Sequence, residues 1–217
     1  MKQGVLIFAQ NNSEVDYTKL AIFAAEQVTK FLKVPVSIVT DNKEYIETNY
    51  KEKSKVFDKI IEINPSSSQK KQFHDGSLTS KILEWKNLSR STCFDLSPYN
   101  ETIVIDSDYI VNSNFLNNFW NSDHDIMLFK DSYDLSSWRD TSEFKYLNQY
   151  SIPFYWATVF YFKKTQVSQA FFDLIKHIKE NWLYYKNLYS IDSFTFRNDF
   201  AFSIAVHIFN DSKNFNN

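Results

Sequence analysis

A chain of 217 residues with 43% hydrophobic and 23% charged side chains is globular in composition and can bury a substantial core. Its net charge of −2 at pH 7 leaves no protein-wide field for polyanions, so any nucleic-acid contact must be a local patch. Only two glycines, Gly4 and Gly76, are present, which excludes glycine-rich phosphate loops; the single cysteine, Cys93, excludes an internal disulfide and fits a reducing cytoplasm.

The first apolar run, Gly4 to Ala9, is too short for a signal peptide or a membrane span and reads as a strand. A helix follows, with Leu20, Phe23, Ala24, Val28, Phe31 and Leu32 at helical spacing. Pro35 then leads into "VSIVTD", and a third run from Val56 to Ile63 ends at Asn64-Pro65. This strand–helix–strand–strand order predicts a parallel sheet covered by helices. The stretch from Ser66 to Ser77 reads as a mobile loop and that from about Leu78 to Phe94 as a helix.

The chain then enters "ETIVIDSDYIV" (Glu101 to Val111), a strand. "NSNFLNNFW" is a short helix and His124 to Lys130 a strand, followed by a long polar and aromatic loop, Asp131 to Ile152. Phe154 to Lys164 is the most β-prone segment. A helix from Gln166 to Tyr185 carries Phe171, Leu174, Ile175, Ile178 and Trp182 on one face. A last helix, about Asn198 to Phe209, precedes a polar tail. With no repeats and no linker, residues 1–217 read as one α/β domain: a nucleotide-binding half to about 112, an acceptor half from 113 to 210, and a tail from 211 to 217.

Asp106 and Asp108 lie at the carboxyl edge of a hydrophobic strand, where open α/β sheets bind ligands. On extended chain, carboxylates at i and i+2 point the same way. Together they can grip a hard divalent cation that bridges the phosphates of a nucleotide. The plainer reading is that one caps the next turn and the other is solvated.

The hydrophobic strand ending in "DSD" after a strand–helix–strand half resembles the nucleotide-sugar glycosyltransferases of the GT-A fold, in particular the glycogenin and lipopolysaccharide galactosyltransferase branch. Arg90, sixteen positions before Asp106, and "SPY" ending at Tyr99 match that branch's basic residue and tyrosine. "FYWATVFYF" and "RNDFAFSIAV" match its downstream strand and Asp-opened helix, so the resemblance runs from about Gly4 to Phe209. Three departures stand out. Trp156-Ala157-Thr158 replaces an Asn-Ser-Gly turn, and Phe200 replaces a Gln. The late His-x-x-Gly-x-Lys segment, which supplies a metal ligand and a phosphate-binding lysine, is absent. Either two side chains and water hold the metal, or the chain is a fragment. The "YWATVFYF" and "RNDFAFSIA" stretches also resemble phage-encoded members.

The resemblance implies an α/β, GT-A fold: a mixed, mostly parallel sheet flanked by helices, with a Rossmann-like N-terminal half. It implies Mn²⁺ or Mg²⁺ held by Asp108 directly and by Asp106 directly or through water, with Asp106 also near the ribose. Arg90 is expected to reach the diphosphate or the donor sugar, the alternative being a salt bridge to Asp95 or Glu84. Ala9, Gln10 and Asn11 leave the first strand where the family binds the nucleobase, and Asp41 could accept from a uracil N–H. A polar strand-to-loop boundary accounts for those four equally well.

Asp199 is the candidate for contacting acceptor hydroxyls or acting as base, although Asn198-Asp199 is also what a helix N-terminus prefers. Arg197 could pair with phosphate or with Asp199. Trp156 and Thr158 are expected to line the donor-sugar pocket, or else to be core. Trp182, Tyr184 and Tyr185 read as packing and Cys93 as a buried small side chain. The four histidines lack metal-ligand spacing.

The expected function is a metal-dependent transfer of a sugar from a nucleoside diphosphate, UDP foremost, to an acceptor hydroxyl in the cytoplasm. The acceptor is a glycan, or a hydroxymethylated DNA base if the chain is phage-encoded, with Gln69 to His74 as a phosphate-contacting loop or a solvated charge cluster. Two alternatives are a non-catalytic scaffold or partner subunit with this fold, and a sugar nucleotidyltransferase. The latter class opens with a glycine-rich loop that "FAQNNSEVD" lacks.

Overall fold

The computed structural model describes residues 2–64, 68–74, 80–86, 89–133, 144–148, 152–193 and 195–214; the side chains of 71–74, 80, 81, 121 and 211–214 are outside the description. In chain order the elements are β1 (Gln3–Phe8), α1 (Tyr17–Phe31), β2 (Val36–Thr40), α2 (Lys43–Asn49), β3 (Lys59–Glu62), β4 (Gln69–His74) and β5 (Ser80–Trp85). Then come α3 (Cys93–Leu96), β6 (Glu101–Asp106), β7 (Ile126–Phe129), β8 (Trp156–Lys163), α4 (Gln166–Glu180), α5 (Trp182–Leu188) and α6 (Asn198–Asn214).

Six strands form the main sheet in the order β3-β2-β1-β6-β8-β7. β3, β2, β1 and β6 are parallel, and β8 runs antiparallel between β6 and β7. Alternate residues of the central strands feed opposite faces, because successive side chains of a strand point to opposite sides. Val5, Ile7, Ile103 and Ile105 meet α1, whereas Leu6, Phe8, Val104 and Phe160 meet the phenylalanines of α4 and α6. Burial on both faces is why these strands read as unbroken apolar runs.

Close packing under the sheet depends on one glycine. A Cβ added at Gly4 would lie 2.5 Å from the ring of Tyr99, which is fully buried and shares a 2.6 Å hydrogen bond with Ser37 Oγ. The tyrosine before β6 is therefore a wedge that ties β1, β2 and the entry to β6 together.

The structure corrects several expectations. Residues 69–74 and 80–85 pair as an antiparallel hairpin outside the main sheet, in place of a loop and a helix. Exposure alternates in strand fashion from Ile82 to Trp85, but the apolar residues Ile82, Leu83 and Trp85 do not alternate in sequence and also satisfy a helical spacing, so periodicity alone misleads there. Helix α2 lies between β2 and β3, capped by Asn42, whose Oδ1 accepts from the Tyr45 amide at 2.9 Å.

Helix α1 buries Ala21, Ile22, Ala24, Ala25 and Val28, leaving Leu20 and Phe23 exposed; its small residues let the backbone approach the sheet. The expected single helix from Gln166 breaks at Asn181, whose side chain donates to the His177 carbonyl at 2.9 Å and competes with helix continuation. Trp182 and Tyr185 are buried as expected, but Tyr184 is exposed. Helix α6 runs on to Asn214. Much of the expected 131–152 loop lies outside the described residues. No described helix is long and apolar enough to cross a membrane.

Candidate active site

The carboxyl ends of β1 and β6 lie side by side, with Asp106 in register with Phe8. Val159 of the antiparallel β8 pairs with Ile105, so Thr158 comes level with Asp106 and Trp156 and Ala157 extend past the end of β6 at the same edge. There the structure holds a cavity of about 260 Å³. Its lining includes the expected Gln10, Arg90, Asp106 and Asp108 from one side. Trp156, Thr158 and Asp199 line it from the other. Ala9, Asn11 and Asp41 do not line it. Ala9 is buried in the core and Asn11 borders a second hollow of about 330 Å³ with Asn42 and Tyr45.

The two aspartates reach the cavity by different geometry from that expected. The strand ends at Asp106, and the chain turns at Ser107-Asp108, with the Tyr109 amide donating to the Asp106 carbonyl at 3.1 Å. Asp106 forms an ion pair with Arg90 Nη2. Asp108 is exposed and makes no ion pair or hydrogen bond among the described residues.

Arg90 sits in a short 3₁₀ turn, Arg90–Thr92, that leads into α3, not in the long helix the sequence suggests. Only 2% of it is exposed, and its Nε has no hydrogen-bond partner among the described residues. Burial pushes the guanidinium down to about 10, while the charges of Asp199 and Asp108 draw it back up. The alternative partners do not take it: Asp95 pairs with Lys176 at 2.8 Å, and Glu84 is exposed. Beneath it, burial raises the Cys93 thiol well above its ordinary range. That agrees with an inert core residue.

Asp199 lies in the first turn of α6, and both its oxygens are engaged. Oδ1 accepts from the Ala157 amide at 2.8 Å; Oδ2 accepts from Arg197 Nη2 at 2.7 Å and Nε at 3.2 Å. Ser203 Oγ donates to the Asp199 carbonyl at 2.7 Å and accepts from the Tyr155 amide at 2.8 Å, so α6 is fastened to the start of β8. The Arg197 guanidinium lies 5.4 Å from the Phe200 ring and 5.9 Å from that of Phe154. Trp156 packs against Phe144 and Phe154 at 5.2 and 5.0 Å, and its indole N–H is buried without a partner among the described residues.

Among the lining residues for which the sequence suggested no site role are Tyr17, Glu84, Trp85 and Lys86. The last three come from the unanticipated hairpin. It is tied to the carboxyl edge of the main sheet by Asn12 Nδ2, which donates to the Glu84 carbonyl at 3.1 Å, and by Lys86, 3.5 Å from Asp41. Asp41 thus faces a lysine of the chain itself. Burial, and then the charge of Asp108, raise the Tyr17 hydroxyl above its ordinary value.

In the second hollow, Asp16 caps α1 and accepts from Tyr50 at 2.5 Å, Tyr45 at 3.0 Å and the Lys19 amide at 3.0 Å. Burial raises its carboxyl, but these bonds outweigh it and hold the group below the usual range.

No group of three or more His, Cys, Asp or Glu among the described residues could hold a metal. The two carboxylates nonetheless fit a hard cation in part: Asp106 retains one oxygen beyond its Arg90 contact, and Asp108 carries no bond among the described residues. Such cations take six or more oxygens and readily fill vacancies with water and phosphate.

No protein-family model and no curated protein matches the chain. Solved structures do. The galactosyltransferase LgtC, in complex with donor and acceptor sugar analogs, superposes with a TM-score of 0.57 at 13% identity, over 91% of this chain and 68% of LgtC. A second LgtC structure, that of an active-site mutant, gives 0.58 at 12% identity, over 93% and 69%. The glycosyltransferase GlyE of Streptococcus pneumoniae TIGR4 gives 0.54 at 11% identity, over 96% of this chain and 43% of GlyE. The fold is GT-A. The mixed, mostly parallel sheet flanked by helices expected from the sequence is the sheet observed.

Proposed function

We propose that the protein transfers a sugar from a nucleoside diphosphate, UDP foremost, to an acceptor hydroxyl, with residues to about 112 as the nucleotide-binding half. The observation that carries this is the meeting of Arg90, Asp106, Asp108 and Asp199 in one cavity at the sheet's carboxyl edge. The structure of LgtC with donor and acceptor analogs supports the same class of chemistry on this fold. Charge supports the need for a cation. Glu84, Asp106, Asp108 and Asp199 outnumber Lys86, Arg90 and Arg197 in the lining, an unfavourable setting for a diphosphate alone.

Asp108 and the second oxygen of Asp106 would hold Mn²⁺ or Mg²⁺. Such an ion, when bound, stabilises charge on the leaving diphosphate as a Lewis acid. Arg90 fixes Asp106 and adds a buried positive charge beside it. Asp199 holds Arg197 and the first residues of β8; with both oxygens engaged, it positions the wall and does not serve as a free base. Trp156 and Thr158 form the face toward the sugar, where an indole offers a stacking surface.

The test is thermal denaturation with UDP, UDP-sugars and Mn²⁺. Nucleotide and metal together are expected to raise Tm. Asp108→Ala should abolish the gain and leave the unliganded Tm within about 1 °C, since an exposed, unbonded carboxylate contributes little to stability. Absence of any shift with every nucleotide and divalent ion tried would remove the basis for the proposal. Metal and nucleotide binding without donor cleavage would favour the scaffold reading instead.

A further inference from the structure

We infer that Asn148 is a positioning residue for the sugar-facing wall of the cavity, acting through Phe144 on Trp156; this rests on the nucleotide-sugar reading above. The backbone of that wall is pinned to α6 by the Tyr155 amide on Ser203 and the Ala157 amide on Asp199. The indole itself is held by rings, Phe154 at 5.0 Å and Phe144 at 5.2 Å. Phe154 is fully buried. Phe144 instead opens a short segment, 144–148, that pairs with 152–154 outside the main sheet. The Leu147 amide donates to the Ile152 carbonyl and the Phe154 amide to the Lys145 carbonyl, each at 3.0 Å, with a bridge between Tyr146 and Pro153.

A two-stranded pairing this small is marginal alone, and bonds along one edge act as a hinge. Asn148 fastens its far end. Its Nδ2 donates to the Tyr189 carbonyl at 2.7 Å and the Ser190 carbonyl at 3.1 Å. Those carbonyls stand where α5 stops, in a well-defined turn. The Ser190 amide donates to the Asn187 carbonyl at 3.1 Å and the Ile191 amide to that of Lys186 at 2.9 Å. These paired bonds close a helix when the residue after its cap is left-handed, and Ser190 has a φ of 50°. The chain then runs on to Arg197, Asn198 and Asp199 of the cavity lining. Leu147 and Ile152 also pack on the core, but apolar contact is non-directional, so the directional Asn148 bonds set the tilt of the segment and with it the place of Phe144.

Two measurements on the full chain test this: calorimetry with UDP, UDP-glucose and UDP-galactose in the presence of Mg²⁺, and acrylamide quenching of Trp156 fluorescence. Trp156 is one of five tryptophans, so its signal is obtained by subtracting that of the matching Trp156→Phe protein. Asn148→Ala is expected to weaken the preferred UDP-sugar about fivefold, the worth of one neutral hydrogen bond, with UDP affinity unchanged. Its Trp156 signal should quench more readily. Phe144→Ala should show the same two effects, and adding Asn148→Ala to it should change neither further, since the tie acts through that ring. Unchanged UDP-sugar affinity, or equal losses for UDP and UDP-sugar, overturns the inference. So does an Asn148 effect that persists at full size beside Phe144→Ala. A lowered Tm with quenching unaltered overturns it too, and marks Asn148 as a cap for α5 alone. Wild-type protein that binds none of the three ligands overturns the nucleotide-sugar reading, while quenching still decides whether Asn148 holds Trp156.

Discussion

Replacing Arg90 by methionine tests how the charges beneath the cavity are held. The arginine is 2% exposed and the side chain of its partner Asp106 26%. Removing one member of a fully buried pair costs about 3–5 kcal/mol, because the other charge is left uncompensated. In Arg90→Met the remaining charge is Asp106, which water reaches in part, so the expected loss is about 2 kcal/mol. Asp106→Asn strands the deeper guanidinium, with Asp199 and Asp108 as more distant charges, and should cost about 3 kcal/mol. The double variant leaves no stranded charge and loses only packing and hydrogen bonds, about 2 kcal/mol. The coupling between the two sites is then about 3 kcal/mol. Urea denaturation of the four unliganded proteins, followed by circular dichroism, measures it. A double variant destabilised by the sum of the singles, about 5 kcal/mol, would refute the claim that the pair acts as a unit.

Gly4→Ala should lower stability by about 1–3 kcal/mol through the clash with Tyr99, and Tyr99→Leu in the same chain should recover part of it; an unchanged Tm for Gly4→Ala contradicts the wedge. Asp16 gives a pH dependence. Its folded carboxyl lies below the usual range, so its contribution is complete above about pH 4 and is lost as pH falls through the folded value. Tyr50→Phe removes the shortest of its bonds and should cost about 1.5 kcal/mol at pH 7. The gap from wild type should narrow in urea titrations at acid pH, and a gap independent of pH would assign the effect to ring packing alone.

The central strands were legible in the sequence because β1, β2, β6 and β8 are apolar on both faces, a pattern that few other environments produce. "DSD" was legible as a ligand edge for the same reason: two carboxylates closing such a strand need an outlet. Arg90 was found as a residue but misplaced in structure, since the helix assigned around it is a strand followed by a 3₁₀ turn. The hairpin was missed although Asp75-Gly76, a dipeptide typical of hairpin turns, stands between its two runs. With it went Glu84, Trp85 and Lys86. The commitment of Asp199 to Ala157 and Arg197 was half visible, as an Asp beside an Arg; its bond to a β8 amide depends on tertiary packing that no local pattern encodes.

The hairpin makes one wall of the cavity, yet β4 and β5 pair only with each other, apart from the six-stranded sheet. Elements joined to a fold by few bonds open in sub-global steps at lower free energy than the whole molecule. Loss of the Asn12 and Lys86 ties together with the packing of Trp85 against the core can therefore open the site while the sheet stays folded. Apparent affinity for any ligand of the cavity is then the intrinsic affinity scaled by the fraction of molecules with the wall in place. Substitutions at Asn12, which does not line the cavity, should act on binding through that fraction.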